Sequence, residues 1–315
     1  VEDARRLSVA ALIEDYSTRE LRGRKKTAKE IESRLKRALD GKLSTPAEDL
    51  RRRDLRELLD SVADAGLERE AEKRRQTIGA MYRWAISRDL VEIDPTAGLK
   101  AYDPGRPRDR VFSDEEIGLF WRWLEEGSCP AAHADVLRFQ LLTGARCSEA
   151  GGITAEEIDA REWLWTLPGS RSKNGRPRVT PLVGLAREIV ARRLRAKGPI
   201  FAGEDGGPLS ASHVGQILIH RRERLPIAHF TTHDLRRTFA TCLDRMGVGL
   251  DLIAAIVGHE AATSRETHTL VRHYLRTDKL ERKRLTLEAW DQRLRQIVSG
   301  EDKLGQNIVS IRQTG

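Results

Sequence analysis

In Thr231-Thr232-His233-Asp234-Leu235-Arg236-Arg237-Thr238-Phe239-Ala240 a histidine and an arginine stand three residues apart. Leu235, Phe239, Ala240 and Leu243 form the apolar stripe of a helix with Thr232 as its N-cap. His233 and Arg236 therefore share a neighbouring face beside the helix start. Backbone N–H groups at such an end favour an anion, so the pair can hold one phosphate from two sides. A His-x-x-Arg pair is also common in purely structural settings. Downstream, Asp251 to Val257 reads as a helix stopped by Gly258 in a left-handed position, which turns His259 out of the helix. Fifteen positions after His259 stands Tyr274, in Val271-Arg272-His273-Tyr274-Leu275-Arg276. A tyrosine there serves packing or, near a bound phosphate, nucleophilic attack.

Charge points the same way. The 315 residues carry a formal net charge of +8, which favours nucleic acid or another polyanion as partner. Two runs concentrate it. Arg171 to Lys197 holds nine Lys or Arg against Glu188 alone, and Glu20 to Arg37 holds eight against three acids. Either run also suits a solvated helix face. Cys129, Cys147 and Cys242 lack metal-site spacing and fit a reduced cytoplasm. No stretch approaches the ~20 apolar residues of a membrane span. The start has no Met and no signal-peptide pattern, which reads as a trimmed fragment whose amino-terminal domain is missing.

The elements that must position these residues are mostly helical. Apolar spacing predicts helices at Leu7–Tyr16, Thr27–Leu39, Leu50–Ala65 and Glu68–Arg88, a compact helical domain over 1–100. The polar segment 101–110, with Pro104, Gly105 and Pro107, reads as a linker. A second domain over 111–298 opens at Ser113-Asp114-Glu115-Glu116, a cap followed by acids, and continues as helix to about Leu142. Trp163–Leu167 and Arg178–Leu182 flank a polar tip containing Asn174-Gly175, which predicts a small antiparallel sheet. Helices follow at 183–197, 210–222, 232–246, 251–257 and 279–298. The last has an apolar side at Leu280, Leu287, Trp290 and Leu294, and 299–315 is a polar tail.

Taken together, Thr143-Gly144-Ala145-Arg146-Cys147-Ser148-Glu149, Ser172-Lys173-Asn174-Gly175, His233-Asp234-Leu235-Arg236-Arg237-Thr238, Gly258-His259 and Tyr274 closely resemble the motifs of the tyrosine recombinase (phage integrase) family, in the family's order. The likeness spans roughly 111–295, and 7–100 looks like the family's helical core-binding domain. It implies a mainly α fold with a small antiparallel β-sheet, and a site of Arg146, Lys173, His233, Arg236, His259 and the nucleophile Tyr274. By the same resemblance, Arg146 and Arg236 hold the phosphate, with His259 donating to one of its oxygens. His233 assists the tyrosine, and Lys173 protonates the leaving oxygen. Glu149 steadies Arg146 or a neighbour, and Arg237 pairs with an acid or the DNA backbone.

The segment after Tyr274 is similar to integrases of prophages and integrative islands, which implies integration or excision of a mobile element. Fifteen positions between Gly-His and tyrosine exceed the spacing of Xer-like members. A Xer-like chromosomal resolving recombinase, a type IB topoisomerase and an inactive architectural DNA-binding protein are the alternatives. No cofactor or metal is implied, because cationic side chains neutralise the phosphate and the phosphotyrosine conserves the energy for religation. The implied partners are double-stranded DNA attachment sites, three further copies of the chain on paired sites, and a DNA-bending accessory protein, in the cytoplasm on bacterial DNA. Lys25, Lys26, Lys29, Arg74 and Arg75 are candidate phosphate contacts of the first domain. The carboxy-terminal helix is a candidate to dock on a neighbouring copy.

Overall fold

The computed structural model describes residues 6–22, 25–105, 109–258 and 271–300, with backbone alone at 25–27 and 271–278. The chain divides into two compact units, 1–108 and 109–315. The first is built from α1 (Val9–Arg19), α2 (Lys25–Ala38), α3 (Arg52–Asp64) and α4 (Glu68–Ile86). Ser8 caps α1 by accepting from the Ala11 N–H at 3.2 Å. Leu12, Ile13, Leu35, Leu39, Leu55, Ile78, Met81 and Tyr82 fill the core, as their helical spacing predicts. Tyr102, within the segment read as a linker, belongs to this unit. Its N–H donates to Glu72 at 3.0 Å and its hydroxyl to Asp60 at 2.6 Å.

The second unit opens with α5 (Asp114–Glu125), where Ser113 and Glu116 exchange the reciprocal bonds of a capping box. Next come α6 (Ala131–Thr143) and the short α7 (Cys147–Gly151). Strands β1 (Ile158–Asp159), β2 (Leu164–Leu167) and β3 (Arg178–Pro181) form one antiparallel sheet in that order, with Trp165 opposite both Ile158 and Thr180. Sequence patterning finds β2 and β3 but misses β1, which is too short to show alternation. Then follow α8 (Gly184–Ala191), α9 (Ala211–His220), α10 (Thr232–Arg245), α11 (Leu250–Val257) and α12 (Val271–Ser299). The helix expected over 183–197 stops at Ala191, whereas α12 begins eight residues before the expected 279.

Helix α6 is the unit's axle. From Ala134 to Thr143 every residue except the half-buried Arg138 is buried, and α10, α8 and α7 pack around it. Helix α12 closes the unit by packing on α5, β3 and α6. Its Trp290 indole donates to the Leu141 carbonyl at 3.0 Å, and Asp291 accepts from the Leu185 N–H at 2.7 Å. Leu287, Trp290 and Leu294 are thus buried against the chain's own core. The apolar side proposed for docking on a neighbouring copy is already occupied at home. Among the described residues no helix is long and apolar enough to cross a membrane.

Candidate active site

Gly144 ends α6 in the left-handed conformation, with φ of 65°. A Cβ there would sit 2.3 Å from the Phe239 ring of α10, so glycine allows both the turn and the contact. The turn delivers Arg146 to the start of α7, where it is the residue before the helix. Glu149, one turn on, reaches back. Its carboxylate accepts from the Arg146 N–H at 3.1 Å and from the Arg146 guanidinium at 2.7 Å. Glu149 therefore steadies Arg146, as sequence spacing suggests.

The cap of α10 lies one residue earlier than expected. Thr231, not Thr232, is its cap, because the Asp234 carboxylate reaches back to the Thr231 N–H at 2.8 Å. His233 and Arg236 stay on the first turns. The buried Arg236 guanidinium donates to the Gly144 carbonyl at 2.6 Å and to the Val257 carbonyl at the end of α11. Gly258 caps α11 in the left-handed conformation, with φ of 72°. His259 lies outside the described residues. Tyr274 lies in the first turn of α12, and its side chain is outside the description too. Arg237 pairs with Asp234 at 2.6 Å, the acid its position allowed.

One cation here escaped the motif reading. Arg178, on β3, is buried and donates to Glu149 at 2.8 Å and to the Val257 carbonyl at 3.1 Å. In sequence it is one of nine bases in a run. On the strand Arg178 and Thr180 point in, while Val179 is only half-buried. Arg171 behaves similarly, donating to the Glu149 carbonyl at 2.8 Å and pairing with Glu157. It fastens the hairpin to α7 two residues before Lys173. Lys173 itself is exposed, with no partner among the described residues.

Arg146 and Arg178 thus share the Glu149 carboxylate, and Arg236 feels the same charge without touching it. Burial first, then repulsion from Arg146 and Arg178, lowers Arg236 from its ordinary value to about 9, so it stays charged at neutral pH. Partial burial of the ring, followed by repulsion from Arg236 and Arg237, lowers His233 below the ordinary histidine value, against a smaller opposing pull from Asp234. A surplus of fixed positive charge beside a neutral imidazole suits an anion and a proton acceptor.

Residues 110–280 match the model of the phage integrase family, and residues 9–102 that of the phage integrase central domain. The chain belongs to the phage integrase family. Enzymes of this tyrosine recombinase family cleave and rejoin DNA. This family member is 30% identical over 208 residues to tyrosine recombinase XerD of Mycobacterium tuberculosis, covering 62% of this chain and 67% of the relative. In fold it is similar to a lambda integrase (75–356) dimer bound to a COC′ core site, with TM-score 0.64, 19% identity, and 81% and 96% of the two chains covered. It is also similar to a lambda integrase tetramer bound to a Holliday junction, with TM-score 0.62, 18% identity, and 82% and 79% covered.

For a phage integrase family member, the basic run over 171–197 is less available to DNA than its composition suggests. Arg171, Arg178, Arg192 and Arg193 are bound to Glu157, Glu149 or Asp135, and Arg187 lies over the Trp163 ring at 4.6 Å. In the first unit Arg74 donates to Glu70 at 3.1 Å, and Arg75 to Glu72 at 2.9 and 2.7 Å. Lys29 is exposed, and the side chains of Lys25 and Lys26 lie outside the described residues. Cys147, next to Arg146 in sequence, is buried, which pushes its thiol up to about 11, against a smaller opposing hydrogen bond with Thr232. It remains a protonated packing residue.

Proposed function

We propose that this integrase-family chain is a site-specific recombinase that cuts and rejoins DNA through Tyr274, for integration or excision of a mobile element. Arg146 and Arg236 bind the nonbridging oxygens of the scissile phosphate, and His259 donates to one of them. The Tyr274 hydroxyl passes its proton to His233 while its oxygen bonds to phosphorus. The bond from phosphorus to the 5′-oxygen breaks, and Lys173 gives that oxygen a proton. The products are a 3′-phosphotyrosyl link and a free 5′-hydroxyl. Rejoining runs the same steps backwards.

The observation that carries the reading is the excess of arginine over carboxylate here, with Arg146 and Arg178 sharing Glu149 while the buried Arg236 meets only backbone carbonyls. A phosphodiester supplies that charge, and its transition state supplies more of it. The five motifs in family order support the residue assignments. Lys25, Lys26 and Lys29 are proposed phosphate contacts ahead of Arg74 and Arg75, whose charges are already paired. Four copies act on paired sites, with a DNA-bending partner.

The test is covalent capture on a nicked suicide duplex carrying a cleavage position that the chain itself selects from a random-sequence library. Tyr274→Phe is expected to abolish the adduct and leave duplex binding intact. An adduct of undiminished yield in that variant would remove Tyr274 from the role. A second reading, chromosomal resolution of the Xer kind, is favoured by the 30% identity to XerD. Mapped breaks at two different partner sequences on a fixed stagger support integration. Breaks at one self-partnering site support resolution, and scattered single nicks support a topoisomerase.

A further inference from the structure

We propose that Arg178 is a positioning residue for DNA cleavage. It occupies one oxygen of the Glu149 carboxylate, so Arg146 keeps only one side-chain bond to that acid and can turn its remaining N–H groups to the scissile phosphate. The inference rests on the proposed grip of Arg146 and Arg236 on that phosphate.

Arg178 has no access to a DNA backbone of its own, being 8% exposed. Its bonds run inward to parts of the fold that are far apart in sequence. One Nη meets Glu149 Oε2 at 2.8 Å, and the other meets the Val257 carbonyl at 3.1 Å. The same carbonyl accepts from Arg236. Among the described residues the Nε has no hydrogen-bond partner, and the guanidinium lies 5.7 Å from the centre of the Trp165 ring. The end of α11 is packed tightly onto it, since a Cβ at Gly258 would sit 2.7 Å from its Nη1. A planar fork reaches both acceptors at once, which a single ammonium does not.

Glu149 is the reason the bond matters. It is 1% exposed, so its charge is balanced by the side chains that touch it, Arg146 and Arg178. Without Arg178 the whole negative charge falls on Arg146. The carboxylate then draws that guanidinium into a two-bond pair, and the cation meant for phosphate is neutralised at home. Arg178 thus acts on the substrate only through Arg146 and through the carbonyl that also fixes Arg236.

The experiment measures single-turnover cleavage of the suicide duplex at saturating chain, together with duplex affinity and thermal melting. Arg178→Ala is expected to slow cleavage about 10²-fold, the cost of a misplacement near 1 Å, while duplex affinity changes little. Arg178→Lys, which keeps the charge and one of the two bonds, is expected to fall between. Adding Glu149→Gln to Arg178→Ala removes the charge left bare and is expected to restore cleavage about tenfold over R178A. A residue that only holds the fold would move the melting temperature in both variants and leave the single-turnover rate of the folded chain unaltered. R178A cleaving at the unaltered rate, or R178A/E149Q no faster than R178A, overturns the proposal. Where R178A fails to fold, R178K cleaving at the unaltered rate does so. Arg146→Ala separates the two levels. Unimpaired cleavage in R146A defeats the phosphate grip itself, whereas loss in R146A with full activity in R178A defeats the present inference alone.

Discussion

His233 shows how neighbours set a single side chain for one task. Partial burial and then the Arg236 and Arg237 charges lower its pKa, so the imidazole stays neutral at pH values where a free histidine is already charged. A proton acceptor must be neutral before the step. Activity therefore falls only when the pH drops through the lowered value. The acid limb of kcat/KM for strand cleavage, which reports the free enzyme, is expected below the ordinary 6.5, and His233→Gln is expected to lose that limb and about 10²–10⁴ in rate. A limb centred at or above 6.5 in the unaltered chain would count against His233 as the base. Arg236 answers the same surroundings differently. Its depressed value still leaves it charged across that whole range, so it contributes no limb of its own.

At the scale of elements, the site stands on two helix ends that stop in the left-handed region. Gly144 ends α6 and Gly258 ends α11, and the carbonyls of Gly144 and Val257 both accept from Arg236. Gly144→Ala forces a Cβ into the Phe239 ring and a side chain into an unfavourable φ. It is expected to cost roughly 3 kcal/mol of stability in urea unfolding followed by tryptophan fluorescence. A cost below about 0.5 kcal/mol would mean that the α6–α10 contact gives way freely and does not set the Arg236 position. Helix α12 works from the other side. Trp290 bonds to α6 and Asp291 holds the start of α8, so the element that carries Tyr274 at its beginning is anchored along its far half.

For the whole molecule the governing quantity is charge that remains free for phosphates. The formal +8 overstates it around the hairpin, where carboxylates claim several arginines, and the proposed phosphate contacts Lys25, Lys26 and Lys29 belong to the first unit. Replacing Lys25, Lys26 and Lys29 together with alanine is expected to make the slope of log binding constant against log salt shallower by roughly 3, near 0.9 per lost phosphate contact. Replacing Arg74 and Arg75 is expected to change the slope less, because each already bonds an acid on its own helix. Equal slopes in the triple variant and the unaltered chain would place the DNA contacts elsewhere. The two units have separate hydrophobic cores with no residue in common.

The linear chain by itself determined the fold class, the order of the helices, the β2–β3 hairpin and the family motifs, including the glycine that ends α11. Those depend on local periodicity, turn chemistry and spacing, which neighbouring residues carry between them. Only the tertiary structure decided where charge and apolar surface end up. It turned Arg178 inward and set it against Glu149, 29 positions away. It committed four of the nine bases in one run to internal carboxylates, and it buried the apolar side of α12 within the chain's own core. The cap at Thr231, the two-residue β1 and the early stop of α8 belong to the same class. The physical reason is that a buried charge is tolerated only when an opposite charge or a hydrogen-bonding group meets it, and that partner comes from a distant segment no local pattern records.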